Sequence, residues 1–283
     1  MYVIYFIYGG IFMRKKFLSM FIALTMLSTF IPMTVSADSD FDHLQYDNVY
    51  YCINYESETA YVEGCDSSVS DITVRDEING YPVTYIGDNA FENHENLSNV
   101  SLSNNITGIG SCAFKNCLTL SNIIIPNSVT TILDRAFSGC TKLSGITIPD
   151  SVTRIGRVIF EDTLISQNSD NWIDGILYVD NCVVDSKKDI INANIKDGTR
   201  IICDAAFMSS NLTSVTIPDS IVAISDSAFM LSNLTSITIP DSVVAIYDYA
   251  FFYCSHLNNI KIGNGVTYIG ERAFENIGYC NNE

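Results

Sequence analysis

Cysteine and histidine are the residues of this chain best suited to redox or metal chemistry. The 283 residues include nine cysteines and three histidines. No two cysteines form a Cys-x-x-Cys pair, and His43, His94 and His256 are far apart in the sequence. Structural zinc sites commonly draw ligands from such closely spaced pairs. The sequence therefore predicts no metal site and no cofactor.

Two short motifs resemble known ligand loops but fit a structural role better. Gly108 to Ala113 matches the loose glycine pattern of dinucleotide-binding turns, yet no strand-helix-strand unit surrounds it. The segment 170–175 has the aspartates of a calcium loop, but Trp172 stands at the third ligand position and no glutamate at the twelfth. We also find no pair of carboxylates that departs from the surrounding pattern, as hydrolytic chemistry would require. The sequence predicts a protein that is not an enzyme.

The charge of the chain excludes one class of partner. Lys and Arg total 15 against 32 Asp and Glu, which gives a formal net charge of −17. Nucleic-acid binding depends on basic side chains that neutralise phosphates. We therefore expect no nucleic-acid partner. A hydrophobic content of 47% is ample for a packed core.

The N-terminal residues have the pattern of an export signal. Arg14 to Lys16 precede an apolar run over 17–31, and Val35-Ser36-Ala37 provides small residues for cleavage. We interpret residues 1–37 as a signal peptide, with translation starting at Met13, so that the mature chain has no membrane span. An uncleaved membrane anchor is the alternative, because the apolar run is only slightly shorter than the roughly 20 residues that span a bilayer.

A repeat accounts for most of the chain. Phenylalanines, most of them preceded by alanine, recur with spacings of 23, 23, 23, 47, 22, 22 and 23 residues. They are Phe91, Phe114, Phe137, Phe160, Phe207, Phe229, Phe251 and Phe274. Counting each unit from a leucine, such as Leu234, apolar residues fall at positions 1, 4, 6, 10, 13 and 18. Periods of this length are typical of solenoids, whose coils share one core.

The repeat predicts a solenoid of short strands with short helical or 3₁₀ turns. Positions 4 and 6 alternate as in a strand, while the Ala-Phe segment fits a helical turn. An aspartate three residues before the phenylalanine, as at Asp204 and Asp226, is placed to cap that turn. We assign residues 72–283 to this solenoid and residues 38–71 to an N-terminal β-hairpin cap. Residues 166–189 then form one divergent coil with a hairpin at Asp180-Asn181, so the solenoid need not be interrupted there, and we count eight coils from Leu97.

The repeat resembles that of a known family. Its pattern is Leu-x-x-Ile-x-Ile-Pro-x-Ser-Val-x-x-Ile-x-x-x-Ala-Phe-x-x-Cys, and it extends over residues 72–279. This pattern is similar to that of the BspA-like leucine-rich repeat family, also called the Treponema pallidum type. The resemblance implies a right-handed solenoid at the surface of a bacterium, or secreted by it, that acts in adhesion. It also implies an extracellular protein or glycan as the partner, without naming one.

The repeat also bears on the cysteines. Cys117, Cys140 and Cys254 all occupy position 21, where other coils have serine, which favours small buried residues. A bridge between Cys117 and Cys140 is the alternative, because adjacent coils bring them close. A Cys52–Cys65 bridge in the cap is also left open, since small exported units often contain disulfides.

Two surfaces are candidates for binding. The first, which we call the apolar patch, replaces the polar residues that earlier coils have at position 19 by Met208, Met230 and Phe252, with Leu231 and Tyr253 at position 20 and Tyr247 and Tyr249 beside them. Packing beneath the divergent coil or inside the turns is the alternative interpretation of this patch. The second, the strand stripe, follows the solvent side of the first strand and comprises Asn99, Asn122, Thr147, Thr216, Thr238 and Lys261. Serine and threonine also suit exposed strands without any partner.

The last coil leaves a sheet edge without a predicted cover. Cys280 would begin a further coil, and the sequence ends at Glu283. Because open edges promote association, an end-to-end homodimer is one expectation, and a truncated relative of a longer protein is the other. For the whole chain we predict a binding or adhesion module. A glycan-active enzyme and a purely structural spacer are the alternatives.

Overall fold

The computed structural model describes residues 41–278 and shows a β-solenoid. The predicted signal peptide, the start at Met13 and the predicted coil start at Cys280 lie outside the described residues. A short strand precedes the Ala-Phe turn of each coil, and most coils have another strand after the leucine; the coils that begin at Leu120 and Leu143 have a single bridge there, between Ile124 and Thr147. Where they pair, strands of both kinds run parallel to the equivalent strand of a neighbouring coil. The predicted solenoid of short strands is confirmed, and the second strand of each coil was not predicted.

The N-terminal part of the chain builds one eight-stranded sheet and one two-stranded sheet. The order in the large sheet is β1-β2-β3-β6-β8-β9-β10, with β5 paired to β6, while β4 pairs with β7. These strands are β1 (Phe41–Tyr46), β2 (Val49–Asn54), β3 (Thr59–Cys65), β4 (Asp71–Thr73), β5 (Glu77–Ile78), β6 (Tyr81–Ile86), β7 (Asn99–Ser101), β8 (Gly108–Ile109), β9 (Thr131–Ile132) and β10 (Arg154–Ile155).

The C-terminal part repeats the arrangement. Its large sheet has the order β11-β12-β13-β15-β17-β19-β21, and β14-β16 and β18-β20 are separate pairs. The strands are β11 (Trp172–Ile173), β12 (Ile176–Val179), β13 (Cys182–Ser186), β14 (Asn192–Asn194), β15 (Ile201–Ile202), β16 (Ser214–Thr216), β17 (Ala223–Ile224), β18 (Ser236–Ile239), β19 (Ala245–Ile246), β20 (Asn259–Ile262) and β21 (Tyr268–Ile269). Between the two parts lie helix α1 (Leu164–Gln167) and a 3₁₀ turn (Ser169–Asn171).

The N-terminal cap has one strand more than the predicted hairpin. Strands β1, β2 and β3 form an antiparallel meander, and β3 then pairs in parallel with β6 of the first coil. Tyr51, Ile53 and Val62 point from this meander into the core and are fully buried. The meander therefore continues the solenoid sheet and covers its first edge.

The Ala-Phe segments, for which short helical or 3₁₀ turns were predicted, form turns and no continuous helix. Two residues of each turn, two before and two after the phenylalanine, have φ between 50° and 75°. Left-handed residues end a helix, because they turn the next N–H away from the carbonyl four residues back. Alternate N–H groups of each turn pair with the next coil: Phe114 N–H donates to Ala136 O at 2.8 Å, and Phe229 N–H donates to Ala250 O at 2.8 Å. The N–H groups between them bond three residues back within the turn, as Lys115 N–H does to Cys112 O at 3.1 Å. The turns are thus a third ladder between coils.

The phenylalanine side chains stack along the solenoid axis. Ring centroids of neighbouring coils lie 5.0 to 6.1 Å apart in two columns. One column contains Phe91, Phe114, Phe137 and Phe160, and the other contains Phe207, Phe229, Phe251 and Phe274. Except for Phe274 at the column end, these rings are buried. This alignment confirms that the coils share one kind of interior.

The regular stacking of coils is interrupted between the two columns, at the predicted divergent coil. The hairpin of β12 and β13 turns at Asp180-Asn181, as predicted, but it lies among the coils so that Phe160 and Phe207 belong to different core clusters. Polar contacts join the parts across the interruption. Asp204 N–H donates to Ile155 O at 3.0 Å, and Arg200 Nη1 lies 2.9 Å from Asp150 Oδ1.

The eight cysteines among residues 41–278 are free thiols. Cys117 Sγ donates to Phe91 O at 3.1 Å, and Cys140 Sγ to Phe114 O at 3.0 Å, so each thiol bonds back to the preceding coil. The alternative of a Cys52–Cys65 bridge does not fit the register. Cys52 pairs with Tyr61, and Cys65 lies four residues further along β3, which is roughly 13 Å at the rise of a strand and too far for a disulfide.

Candidate binding surface

The apolar patch lies on the turn side of the last coils. Leu231 is 44% exposed and Tyr253 is 48% exposed, while the other members are partly buried. The Phe252 ring packs edge-on against Tyr249 at 5.3 Å and against Tyr253 at 4.6 Å. Three aromatic members, Tyr249, Phe252 and Tyr253, thus lie together, whereas the Tyr247 ring lies against Tyr268 at 5.7 Å.

Met208 belongs to a different surface, the cleft formed at the interruption. This cleft is lined by side chains of both charges and by Trp172, and Lys188 Nζ donates to Met208 O at 2.9 Å. The charged residues Arg135, Arg157, Glu161, Asp162, Asp185 and Asp204 also line it. Because acids and bases alternate there, the cleft gives no single charge preference for a ligand.

Three members of the apolar patch, Leu231, Tyr249 and Tyr253, have left-handed backbone, and two of them occupy a position that small polar residues or glycine fill in the other coils. Leu231 and Tyr253 have φ of 59° and 56°, in the left-handed region. The equivalent residues of the other coils are Asn93, Asn116, Gly139, Asp162, Ser209 and Asn276. Small polar residues and glycine tolerate this region, whereas bulky side chains are strained there. The chain therefore keeps two exposed apolar side chains where asparagine would fit the backbone better.

The strand stripe is exposed along its whole length. Asn99, Asn122, Thr147, Thr216, Thr238 and Lys261 all face solvent. Thr238 pairs in register with Lys261, and a groove between coils includes both residues and Thr216. A second groove lies at Asn122 and Thr147. Ile124, beside Thr147, is 78% exposed and is the most exposed large apolar residue among residues 41–278.

A row of aspartates lies beside the turns and serves the backbone. Asp204 Oδ1 accepts the Asp226 N–H at 3.1 Å, and Asp226 Oδ1 accepts the Asp248 N–H at 3.1 Å. These carboxylates therefore cap the equivalent turn of the next coil, where the prediction had them cap their own turn. Arg154 Nη2 reaches Asp226 from the other side of the interruption and lies 3.8 Å from Asp204.

Burial, helped by the nearby charge of Asp226 and opposed by Arg154, raises the pKa of Asp204 to about 7. Burial also raises the pKa of Asp226. Paired carboxylates of unequal pKa are a feature of acid-base catalysis. Here, however, both carboxylates accept backbone N–H groups and Asp204 is 6% exposed. The geometry assigns the pair to turn capping.

The family of the chain follows from a comparison with protein-family models. The model described as the BspA type leucine rich repeat region matches six copies over residues 64–171 and 180–282. The chain belongs to the BspA-type leucine-rich repeat family. The gap between the two matched ranges coincides with β12 and its flanking turn, where the structure shows the interruption. The resemblance seen in the sequence is thus confirmed.

Solved structures of bacterial leucine-rich repeat proteins are similar to this member of the BspA-type family. A protein from Bacteroides ovatus is 27% identical, with 83% of this chain and 57% of that one covered and a TM-score of 0.45. The Treponema pallidum leucine-rich repeat protein TpLRR is 19% identical, with 84% and 86% covered and a TM-score of 0.42. The chain thus spans 57% of the length of the Bacteroides ovatus structure. No curated protein matches the chain.

Among residues 41–278, no helix is both long enough and apolar enough to cross a bilayer. The longest helix, α1, has four residues.

Proposed function

We propose that this BspA-type protein is a secreted or cell-surface binding module of a bacterium that recognises an extracellular protein through the apolar patch. Methionine and aromatic residues are enriched in protein interfaces. The rows Met230-Leu231 and Phe252-Tyr253 place such side chains side by side in neighbouring coils, because Leu231 N–H donates to Phe252 O at 2.9 Å.

The strained position of Leu231 and Tyr253 carries this proposal. Backbone strain that a smaller residue would relieve is found where function requires the particular side chain. Both side chains are exposed, so packing in the core does not explain them. Recognition by a partner does.

Replacement of both residues by asparagine tests the proposal. We expect Leu231→Asn with Tyr253→Asn to leave the free energy of unfolding unchanged or raise it by about 1 kcal/mol, because asparagine tolerates left-handed backbone. Binding to immobilised extracellular-matrix proteins should fall at least tenfold in surface plasmon resonance. Binding to polysaccharides is measured in parallel as the test of a glycan partner.

Asp162→Asn is the matched control, because it introduces the same residue at the equivalent backbone position away from the patch. A further variant, Thr216→Lys with Thr238→Lys, places two lysines on the strand stripe and so tests whether that surface binds the partner. If the stripe variant loses binding and the asparagine variant keeps it, the patch is the wrong surface. If the asparagine variant instead has a lower free energy of unfolding than the wild type, the Leu231 and Tyr253 side chains serve packing.

An end-to-end homodimer is a second proposal, supported by the last described coil. Tyr268 and Ile269 of β21 are 49% and 50% exposed, and Ile262 is 41% exposed. Within residues 41–278, β21 pairs only with β19. A second copy at this edge would bury these residues and pair the free backbone groups. We expect sedimentation velocity to show a dimer that Ile269→Lys dissociates; a monomer at all concentrations would contradict this.

A further inference from the structure

Three side chains of the N-terminal cap converge on the face opposite the core. His43 of β1 pairs in register with Cys52 of β2, and Cys52 pairs with Tyr61 of β3. Glu63 lies two residues beyond Tyr61 and thus on the same face of β3. The imidazole nitrogen, the thiol sulfur and a carboxylate oxygen of His43, Cys52 and Glu63 all lie within 4.8 Å of one another.

Cys52 is buried without joining the hydrophobic core. The buried residues next to it on β2, Tyr51 and Ile53, belong to the core cluster, whereas Cys52 does not. Its sulfur makes one long hydrogen bond, of 3.9 Å, to Ile53 O. The thiol therefore faces His43 and Glu63, on the side of the cap away from the core.

The donor set suits a thiophilic divalent ion. Thiolate, imidazole and carboxylate are the three side-chain types that bind zinc in proteins, and thiolate disfavours magnesium, calcium and manganese. In a tetrahedral zinc site with bonds of about 2.0 to 2.3 Å, ligand atoms are roughly 3.3 to 3.8 Å apart. The observed separations are thus within about 1 Å of those a bound ion requires.

The cap can make this adjustment with little loss. His43 Nδ1 lies 2.7 Å from Glu63 Oε2, and the two side chains are 57% and 29% exposed. An ion pair near the surface stabilises a fold little. Their free ends can therefore separate around an ion while the strands that carry them stay in place.

We propose that His43, Cys52 and Glu63 bind a zinc ion, with the fourth coordination position open to solvent. On binding, the Cys52 S–H bond breaks, its proton passes to solvent, and the sulfur lone pair forms the bond to zinc. The ion joins β1, β2 and β3, and the Tyr61 hydroxyl supports the thiolate from the neighbouring position. The Cys-x-x-Cys and histidine spacings considered in the sequence could not show this site, because its ligands come together only through the register of three strands.

The site is tested with tag-free protein treated with chelator and then titrated with Zn²⁺ by calorimetry. We expect one tight equivalent with proton release, and with Co²⁺ as the probe a thiolate-to-metal charge-transfer band in the near ultraviolet. His43→Gln and Glu63→Gln should weaken Zn²⁺ binding by about 100-fold or more. Cys52→Ser should abolish the Co²⁺ band.

Cys112→Ser and His256→Gln are the controls, since they remove a cysteine and a histidine outside the cluster. They should bind Zn²⁺ like the wild type. Because the His43 side chain is exposed, His43→Gln tests the site even if Cys52→Ser fails to fold, and circular dichroism checks each variant. The proposal fails if the wild type takes up no stoichiometric Zn²⁺ or if His43→Gln binds it equally well.

Discussion

Phe229→Ala is expected to lower the free energy of unfolding by about 3 to 5 kcal/mol, the range for removing a buried aromatic side chain. The Phe229 ring is fully buried and lies 5.1 Å from Phe207 and 5.2 Å from Phe251. Its removal leaves a cavity between two coils and ends the stacking on both sides. Urea unfolding followed by circular dichroism measures the loss.

Phe274→Ala is the matched control, because it deletes the same atoms at the end of the column. Phe274 is partly exposed and stacks on Phe251 alone, at 5.0 Å. We expect less than half the loss seen for Phe229→Ala. Equal losses would show that the column contributes through something other than burial between neighbouring coils.

Stability is expected to fall as the pH rises from 4 to 7, owing in large part to Asp204. Its pKa in the folded protein is about 7, against 3.8 for a free carboxyl group. Between these values the folded state holds a proton that the unfolded state has lost, so the free energy of unfolding decreases by up to about 1.4 kcal/mol per pH unit. The contribution is fully present below pH 4 and gone above pH 7. Asp226, Asp134 and Arg154 provide the nearby charges.

Asp204→Asn should make this pH dependence shallower and raise stability at pH 8, because a neutral amide can stay buried and still accept the Asp226 N–H. Urea unfolding at several pH values measures the slope. Asp88→Asn is the control, since Asp88 accepts the Ser111 N–H in the same way at an exposed site. If Asp204→Asn keeps the slope of the wild type, the dependence arises from other groups.

The repeat made the interior predictable and left the turns undetermined. Leu97, Phe114 and Phe229 recur at fixed positions and are buried as that spacing predicts. A 3.6-residue pattern also fits the Ala-Phe segment, but alternate N–H groups there bond to the next coil. Periodicity within one chain segment cannot distinguish these two outcomes, because both bury the same side chains. The left-handed residues two before the phenylalanine, which include Val158 and Tyr249, have no common residue type that would mark them.

The candidate sites were predictable in part for the same reason. Members of the apolar patch share repeat positions, so their grouping followed from the alignment of coils. The sequence did not reveal that Leu231 and Tyr253 are exposed or that their backbone is left-handed; the three-dimensional structure shows both. Likewise, His43 and Cys52 meet only because β1 and β2 pair in one particular register, which sequence distance does not reveal.

The coils contain 22 or 23 residues, and the difference lies at one place. Five residues lead from Phe229 to Leu234, but six lead from Phe114 to Leu120, and the longer form places a thiol where Cys117 bonds the preceding coil. From the second strand to the phenylalanine the count is the same in both forms. Whole units can therefore be duplicated or lost during evolution without disturbing the stacking of those that remain. Recombination within such a gene can thus change the number of coils and the length of the solenoid.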